Sequence, residues 1–385
     1  MDVTTAAAAL DRLEQVYSSR PGTVRALAEQ GRRVIGVVGA DVPVELVEAA
    51  GAVAYRLHGH PDVLSAEAQE VLGASLDPVA HSVLTQVLGG SLTFLDGLVV
   101  SRDSQASLQL FYALRELRRL EPHRAIPPLH LLDLLHLPTE PTARYDEVRL
   151  GRLADVLGSW TGQPVTAGLT ASVAAVAELR HLLREVSDLR RGPRPVLTGT
   201  RVLRVLGAAA ALPTDVSLPL LRRLVDGAGA LPALPQGRRV YLTGSAQDHD
   251  EVYVALEAAL GCLVVGEDTD WGDLALSADV GGADLGALAR AYRDRGPAAA
   301  TASLPRRAAW TAEQVRRSAA EVLLGVVREH DEAPAWDFPA QRAAVAADGV
   351  PSALLARQPY RVLATDLRSA LGSATCEPVL SGARA

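Results

Sequence analysis

Short apolar blocks, each closed by glycine or a small polar residue, alternate along this chain with longer stretches of helical spacing. The blocks at 34–39 (VIGVVG), 52–59 (AVAYRLHG), 95–101 (LDGLVVS) and 127–135 (PPLHLLDLL) are short and rich in Val and Leu. Length and composition predict buried strands. Between the first two lies PVELVEAAG. Its proline suits a first helical turn, Glu45 sits near the positive helix end, and Gly51 closes the helix. Residues 103–120 predict a helix with Leu108, Phe111, Tyr112, Leu114 and Leu117 on one apolar face. Alternation of this kind implies a parallel sheet with helices on its faces.

Residues 145–190 carry helical spacing throughout, broken once by WTGQP at 160–164, and GPRP at 192–195 punctuates the chain. The α/β pattern restarts at Arg239. RVYLTGS predicts a strand, DHDEVYVALEAALG a helix with Asp248 near its cap, and CLVVGED a further strand. This unit repeats the layout of residues 34–59, a weak internal repeat. The expected fold is α/β, with two flavodoxin- or Rossmann-like lobes built on parallel sheets and a helical segment between them. The expected bounds are an N-terminal helical segment at 1–30, a first α/β lobe at 31–143, a helical connector at 144–200 and a second α/β lobe at 201–385. Ligands of open parallel sheets bind beyond the carboxyl ends of the strands. The loops at 39–43, 101–105, 244–248 and 267–272 are therefore the expected functional segments, with the interlobe cleft as the expected pocket.

Composition narrows the class. The chain has 385 residues, more than one ordinary core holds. Net charge is −7 and the basic residues are scattered, which argues against nucleic acid as a partner. The first residues read as an amphipathic helix rather than a signal peptide. No uncharged apolar run approaches ~18 residues, so no membrane span is expected and the cytoplasm is the expected compartment. The two cysteines, Cys262 and Cys376, can form neither a disulfide framework nor a four-thiolate metal site. Walker A, Gly-x-Ser-x-Gly and His-Glu-x-x-His motifs are all absent.

Four segments together resemble the 2-hydroxyacyl-CoA dehydratase and benzoyl-CoA reductase family. They are VVGADVPVELVEAAGAVAYRLHG, LDGLVVSRDSQASLQLFYALREL, the stretch from LHLLDLLHLP through SWTGQPVTAGLTASVAAV, and RVYLTGSAQDHDEVYVALEAALGCLVVGEDTDWGDL. In the family these carry a cysteine before a Pro-Glu helix start, a Cys-Asp after a strand, a Thr-Gly turn between helices, and an Asp-Asp-x-Cys after a strand. Here the three family cysteine positions fall at Gly39, Gln105 and Asp270. Iron–sulfur clusters need soft thiolates, and none of these three residues supplies one. Cys262 lies in a strand and reads as a core residue.

The resemblance implies a subunit of a complex acting on an acyl-CoA thioester. It implies a cysteine-bearing paralogous subunit holding a [4Fe-4S] cluster, an ATP-dependent activator protein, and no cofactor in this chain. On this basis the chain is expected to be the cluster-free partner in a heterodimer, non-catalytic alone. The alternatives are a stand-alone enzyme with cluster-free chemistry on the same fold, and a small-anion-binding regulatory module. An interface would use the aromatic stretches around Phe111-Tyr112 and Trp336–Phe338, the second read as a loop or packed corner.

Several polar residues admit two readings. Glu45 is the candidate catalytic carboxylate, or a helix-start glutamate. Pro43, Arg102 and Asp103 are candidate substrate contacts, although Arg102 and Asp103 could instead be an ion pair capping the next helix. Gly244 and Ser245 could cradle a CoA phosphate before a helix. Asp268 and Asp270 could pair on a metal, or form a solvated acidic loop. His58 and His60 could be acid–base groups or surface residues, and His249 is expected at an exposed helix start.

Overall fold

In a computed structural model, which describes residues 3–376, the apolar blocks form two separate four-stranded parallel sheets. The first contains β1 (Arg33–Val38), β2 (Ala52–Arg56), β3 (Gly97–Ser101) and β4 (Leu129–Leu132) in the order β2-β1-β3-β4. The second contains β5 (Arg238–Gly244), β6 (Cys262–Glu267), β7 (Val322–Arg328) and β8 (Ser352–Gln358) in the order β6-β5-β7-β8. The two orders are the same permutation, so the weak repeat in the sequence reflects a shared topology. The architecture is α/β with two Rossmann- or flavodoxin-like sheets, as the block pattern implies.

Each sheet is apolar on both faces because alternate residues of its strands enter different cores. Val34, Leu98 and Val100 pack in one cluster, while Ile35, Val37 and Val99 pack in another. In the second sheet Val240, Leu242 and Leu324 share one core, and Tyr241, Val265 and Leu323 share the other. This two-sided burial is why the strands read as continuous apolar runs instead of alternating ones.

The chain forms two compact units that are discontinuous in sequence. Among the described residues one comprises 3–186, 204–231 and 276–295, and the other 187–203, 232–275 and 296–376. Two long helices, Glu140–Thr161 and Val165–Asp188, meet at the 160–164 break. Gly162 ends the first in a left-handed conformation at φ 77°.

Several local expectations change. The helix after β5 is one α-turn, Glu251–Val254, followed by a π-turn at Ala255–Ala259. Asp248 lies two residues before the N-cap, Asp250. Asp248 is buried and accepts the Tyr360 hydroxyl at 2.8 Å. His249 is buried too, edge-on to the Tyr360 ring at 5.0 Å, not exposed at a helix start. Residues 336–338 are not a loop but part of the helix Ala333–Ala346. Within it Phe338 is buried and Trp336 is 75% exposed. Tyr112 leaves the apolar face of its helix and is 44% exposed, with Arg115 over its ring. No helix among the described residues is long and apolar enough to cross a membrane.

Candidate functional site

The carboxyl ends of β1, β3 and β4 bring three loops together in the first unit. The turn after β1 begins at Gly39, whose φ of +88° is the left-handed region open to glycine. A Cβ added there would lie 2.0 Å from Ser101 Oγ and 2.4 Å from Asp103 Oδ2. Asp103 fills this space for a reason: its Oδ2 accepts the Ala40 N–H at 2.6 Å, and its Oδ1 accepts the Ser107 hydroxyl at 2.9 Å. Asp103 therefore ties the β1 turn to the start of the helix Gln105–Leu120. Ser104 caps that helix through the Ser107 N–H. The expected Arg102–Asp103 pair does not form, and Arg102 reaches Asp133 at 3.2 Å instead.

The rest of the turn is held from further away. Arg295 donates to the Ala40 carbonyl at 2.7 Å and pairs with Asp41 at 2.7 Å. His136, beyond the end of β4, bonds Asp41 Oδ2 at 3.0 Å through Nε2. Burial pushes the Asp41 pKa up, but Arg295 and His136 outweigh it and leave the carboxyl below its ordinary value. Burial pulls His136 down, but its bond to Asp41 and that residue's charge leave it above its ordinary value.

Pro43 precedes the short helix Val44–Ala49. Glu45 in its first turn is fully buried, with one oxygen 2.5 Å from Arg180 Nη1 and the other accepting the Tyr292 hydroxyl at 2.9 Å. Arg180 Nη2 in turn donates to the Tyr292 oxygen at 2.8 Å. Both carboxylate oxygens are thus engaged inside the protein, and the triad anchors the turn that carries Pro43. His58 and His60 lie on the coil after β2, where His60 Nδ1 accepts the Asp62 N–H at 3.2 Å.

In the second unit, Gly244 ends β5 at φ +115°, and a Cβ there would lie 2.2 Å from the Val326 carbonyl of β7. Ser245 is buried, donates its N–H to that carbonyl at 2.8 Å, and accepts the Arg328 N–H on its hydroxyl at 2.9 Å. Ser245 is therefore tied to β7 through both its backbone and its hydroxyl.

The acidic stretch after β6 is not a solvated loop. Glu267 is buried and takes both Arg190 terminal nitrogens, at 2.6 and 2.8 Å, together with the Tyr253 hydroxyl at 3.0 Å. Asp268 is buried among Thr311 at 2.5 Å, Gln341 at 3.2 Å and Arg307 at 3.3 Å. Arg307 also pairs with Asp337 at 3.1 Å. Charges this deep persist only when paired and hydrogen-bonded.

Gly39, Gln105 and Asp270, the positions at which the sequence comparison expected thiolates, do not fit an iron–sulfur cluster. Gly39 offers no ligand and its side-chain space is filled, Gln105 opens a helix, and Asp270 is a hard oxygen donor. No group of three or more His, Cys, Asp or Glu among the described residues could hold a metal ion. Cys262 begins β6, half-buried at the edge of an apolar cluster, and Cys376 is exposed.

Sequence patterns missed Arg180, Tyr292, Arg295, His136, Arg190 and Arg307. A usable signal existed for Arg180 alone, a charge interrupting the leucine-rich run AELRHLL. Residues 40–357 match the model of a protein family described as 2-hydroxyglutaryl-CoA dehydratase, D-component. No curated protein matches the chain.

Proposed function

The chain belongs to the 2-hydroxyglutaryl-CoA dehydratase D-component family, and on that premise we propose that it is the cluster-free subunit of a complex acting on an acyl-CoA thioester. The observation that supports this reading is the filled space at Gly39, where any side chain would meet Ser101 and Asp103. A subunit so built delivers no electron of its own, and its role is to present a wall to a substrate bound with a cysteine-bearing paralogue. That paralogue holds the [4Fe-4S] cluster and receives electrons from an ATP-dependent activator.

Pro43, Arg102 and Asp103 shape this wall, which lies in the first unit. Arg102 is the group offered to an acyl oxygen, since its side chain is 52% exposed at the end of β3. Glu45 acts through the turn it anchors. Trp336, 75% exposed, is the aromatic side chain available to a subunit contact.

Co-expression with cysteine-bearing relatives, followed by size-exclusion chromatography with light scattering and iron analysis, tests the proposal. The expected result is a stable heterodimer whose iron remains with the partner. A monomer or homodimer that ignores every such relative would overturn it and favour a stand-alone enzyme.

A further inference from the structure

At the opposite end of the first sheet from these loops, the last turns of the helix Gln105–Leu120 and the start of β4 enclose a surface pocket of about 540 Å³. Its polar lining is four guanidinium groups, Arg115, Arg118, Arg119 and Arg124, with no carboxylate among the lining residues. Its apolar lining comes from Phe111, Pro122, Ile126 and Leu129. We propose that this pocket binds a nucleoside phosphate, with the arginines on the phosphates and the apolar floor beneath the base. A free nucleotide in this pocket is independent of the subunit role assigned above, whereas a coenzyme handle there rests on it.

The charge distribution supports an anionic occupant. Arg115 and Arg119 share Glu116, at 3.4 and 2.8 Å, and Arg124 takes Glu121 and Glu67, at 2.6 and 2.5 Å. Arg118 has no partner among the described residues, so three acids at the margin face four cations and one guanidinium stays uncompensated. The helix dipole favours Arg118 and Arg119 in the last turn. It gives no reason for Arg124, which follows the helix, nor for a hollow with an apolar floor.

The same dipole opposes an anion at a helix C-terminus, so binding there must come from the side chains. Guanidinium forks match phosphate oxygens bidentately, which an ammonium cannot do. A planar ring adds contact with Phe111 and Ile126, both almost fully buried and facing the pocket from the core. A bare inorganic anion would leave that floor unused.

Two sources share this chemistry: a free nucleotide, and the phosphorylated adenosine handle of coenzyme A. Calorimetric titration of the full chain with ADP, adenosine 3′,5′-bisphosphate and inorganic phosphate distinguishes them. Either nucleotide should bind at least tenfold more tightly than phosphate. A preference for ADP assigns the free nucleotide, and a preference for the bisphosphate assigns the coenzyme handle. Arg118→Ala should weaken nucleotide binding about tenfold, because each 1.4 kcal/mol is a factor of ten and hydrogen bonds to charged groups are worth about that much. Arg118→Lys should recover only part of this, since it restores charge without the fork. Arg316→Ala, in the second unit, should leave binding unchanged, and unfolding curves report whether each variant is intact. Three results would overturn the proposal: no nucleotide binding, equal affinity for phosphate and nucleotide, or full affinity in a folded Arg115→Ala/Arg118→Ala variant. Saturable binding of an acidic protein at the arginines without nucleotide binding would also overturn it.

Discussion

Asp103 occupies the space in which a side chain on residue 39 would begin. An added Cβ on Gly39 would lie 2.4 Å from Asp103 Oδ2, and that same oxygen accepts the Ala40 N–H at 2.6 Å. The absence of a thiol at residue 39 is thus matched by a neighbour that uses the room for a hydrogen bond.

Placing a cysteine there should therefore be costly. Gly39→Cys places a side chain at φ +88° and against two filled positions. Left-handed backbone alone costs roughly 1–2 kcal/mol for a residue with a Cβ. A loss of about 2 kcal/mol or more is expected in urea unfolding. A variant as stable as the parent would show that the turn opens freely and that Asp103 does not fill it.

The Glu45–Arg180 pair gives a second test. Removing one partner of a buried ion pair leaves an uncompensated charge and costs about 3–5 kcal/mol. Arg180→Met should fall in that range, because Glu45 is fully buried. Glu45→Gln combined with Arg180→Met should lose less than the sum of the two single changes, as coupled neighbours do. Additive losses in a double-mutant cycle would refute the coupling and the anchoring role.

Stability should depend on pH through Asp41 and His136. His136 titrates above its ordinary 6.5 in the folded chain, so its contribution is complete below 6.5 and is lost as pH rises through the higher folded value. Asp41 titrates below its ordinary 3.8, so its contribution is complete above 3.8 and is lost as pH falls through the lower folded value. Melting temperature should be highest between these limits and decline on the alkaline side. His136→Gln should flatten that decline, and an unchanged slope would rule out His136 as its source.

The two thiols should separate kinetically. Cys376 is exposed, whereas Cys262 is half-buried and burial pushes its thiol pKa up, only partly offset by Arg238. Reaction with an aromatic disulfide reagent depends on access and thiolate fraction. One fast and one slower phase are expected, about tenfold apart or more, with the fast phase absent in Cys376→Ser. Equal rates would mean that β6 opens at its first residue.

Much of the fold was legible because both faces of each sheet are buried. VIGVVG and LDGLVVS show unbroken apolar character for that reason, and the resulting strands β1 and β3 lie within one residue or two of the expected bounds. Neither β7 nor β8 was read from the sequence: VLLGVVR is as buried as the strands that were read, while SALLARQ is an edge strand whose later residues are partly exposed, so its pattern is mixed. The helix after β5 was expected too long because its apolar spacing continues through a π-turn, where hydrogen-bond register changes without any change in composition.

Sequence by itself determined what depends on neighbours along the chain: most of the strand blocks, the break at 160–164, the glycine at residue 39 and a chain with only two cysteines. Tertiary structure decided which charges meet. Arg180 reaches Glu45 across 135 residues, Tyr292 across 247, and Arg295 reaches Ala40 across 255. A lone arginine or aspartate in a sequence looks solvated, because burying a charge is unfavourable until its partner is in place. Only folding supplies that partner, and with it the reason each charge can be buried.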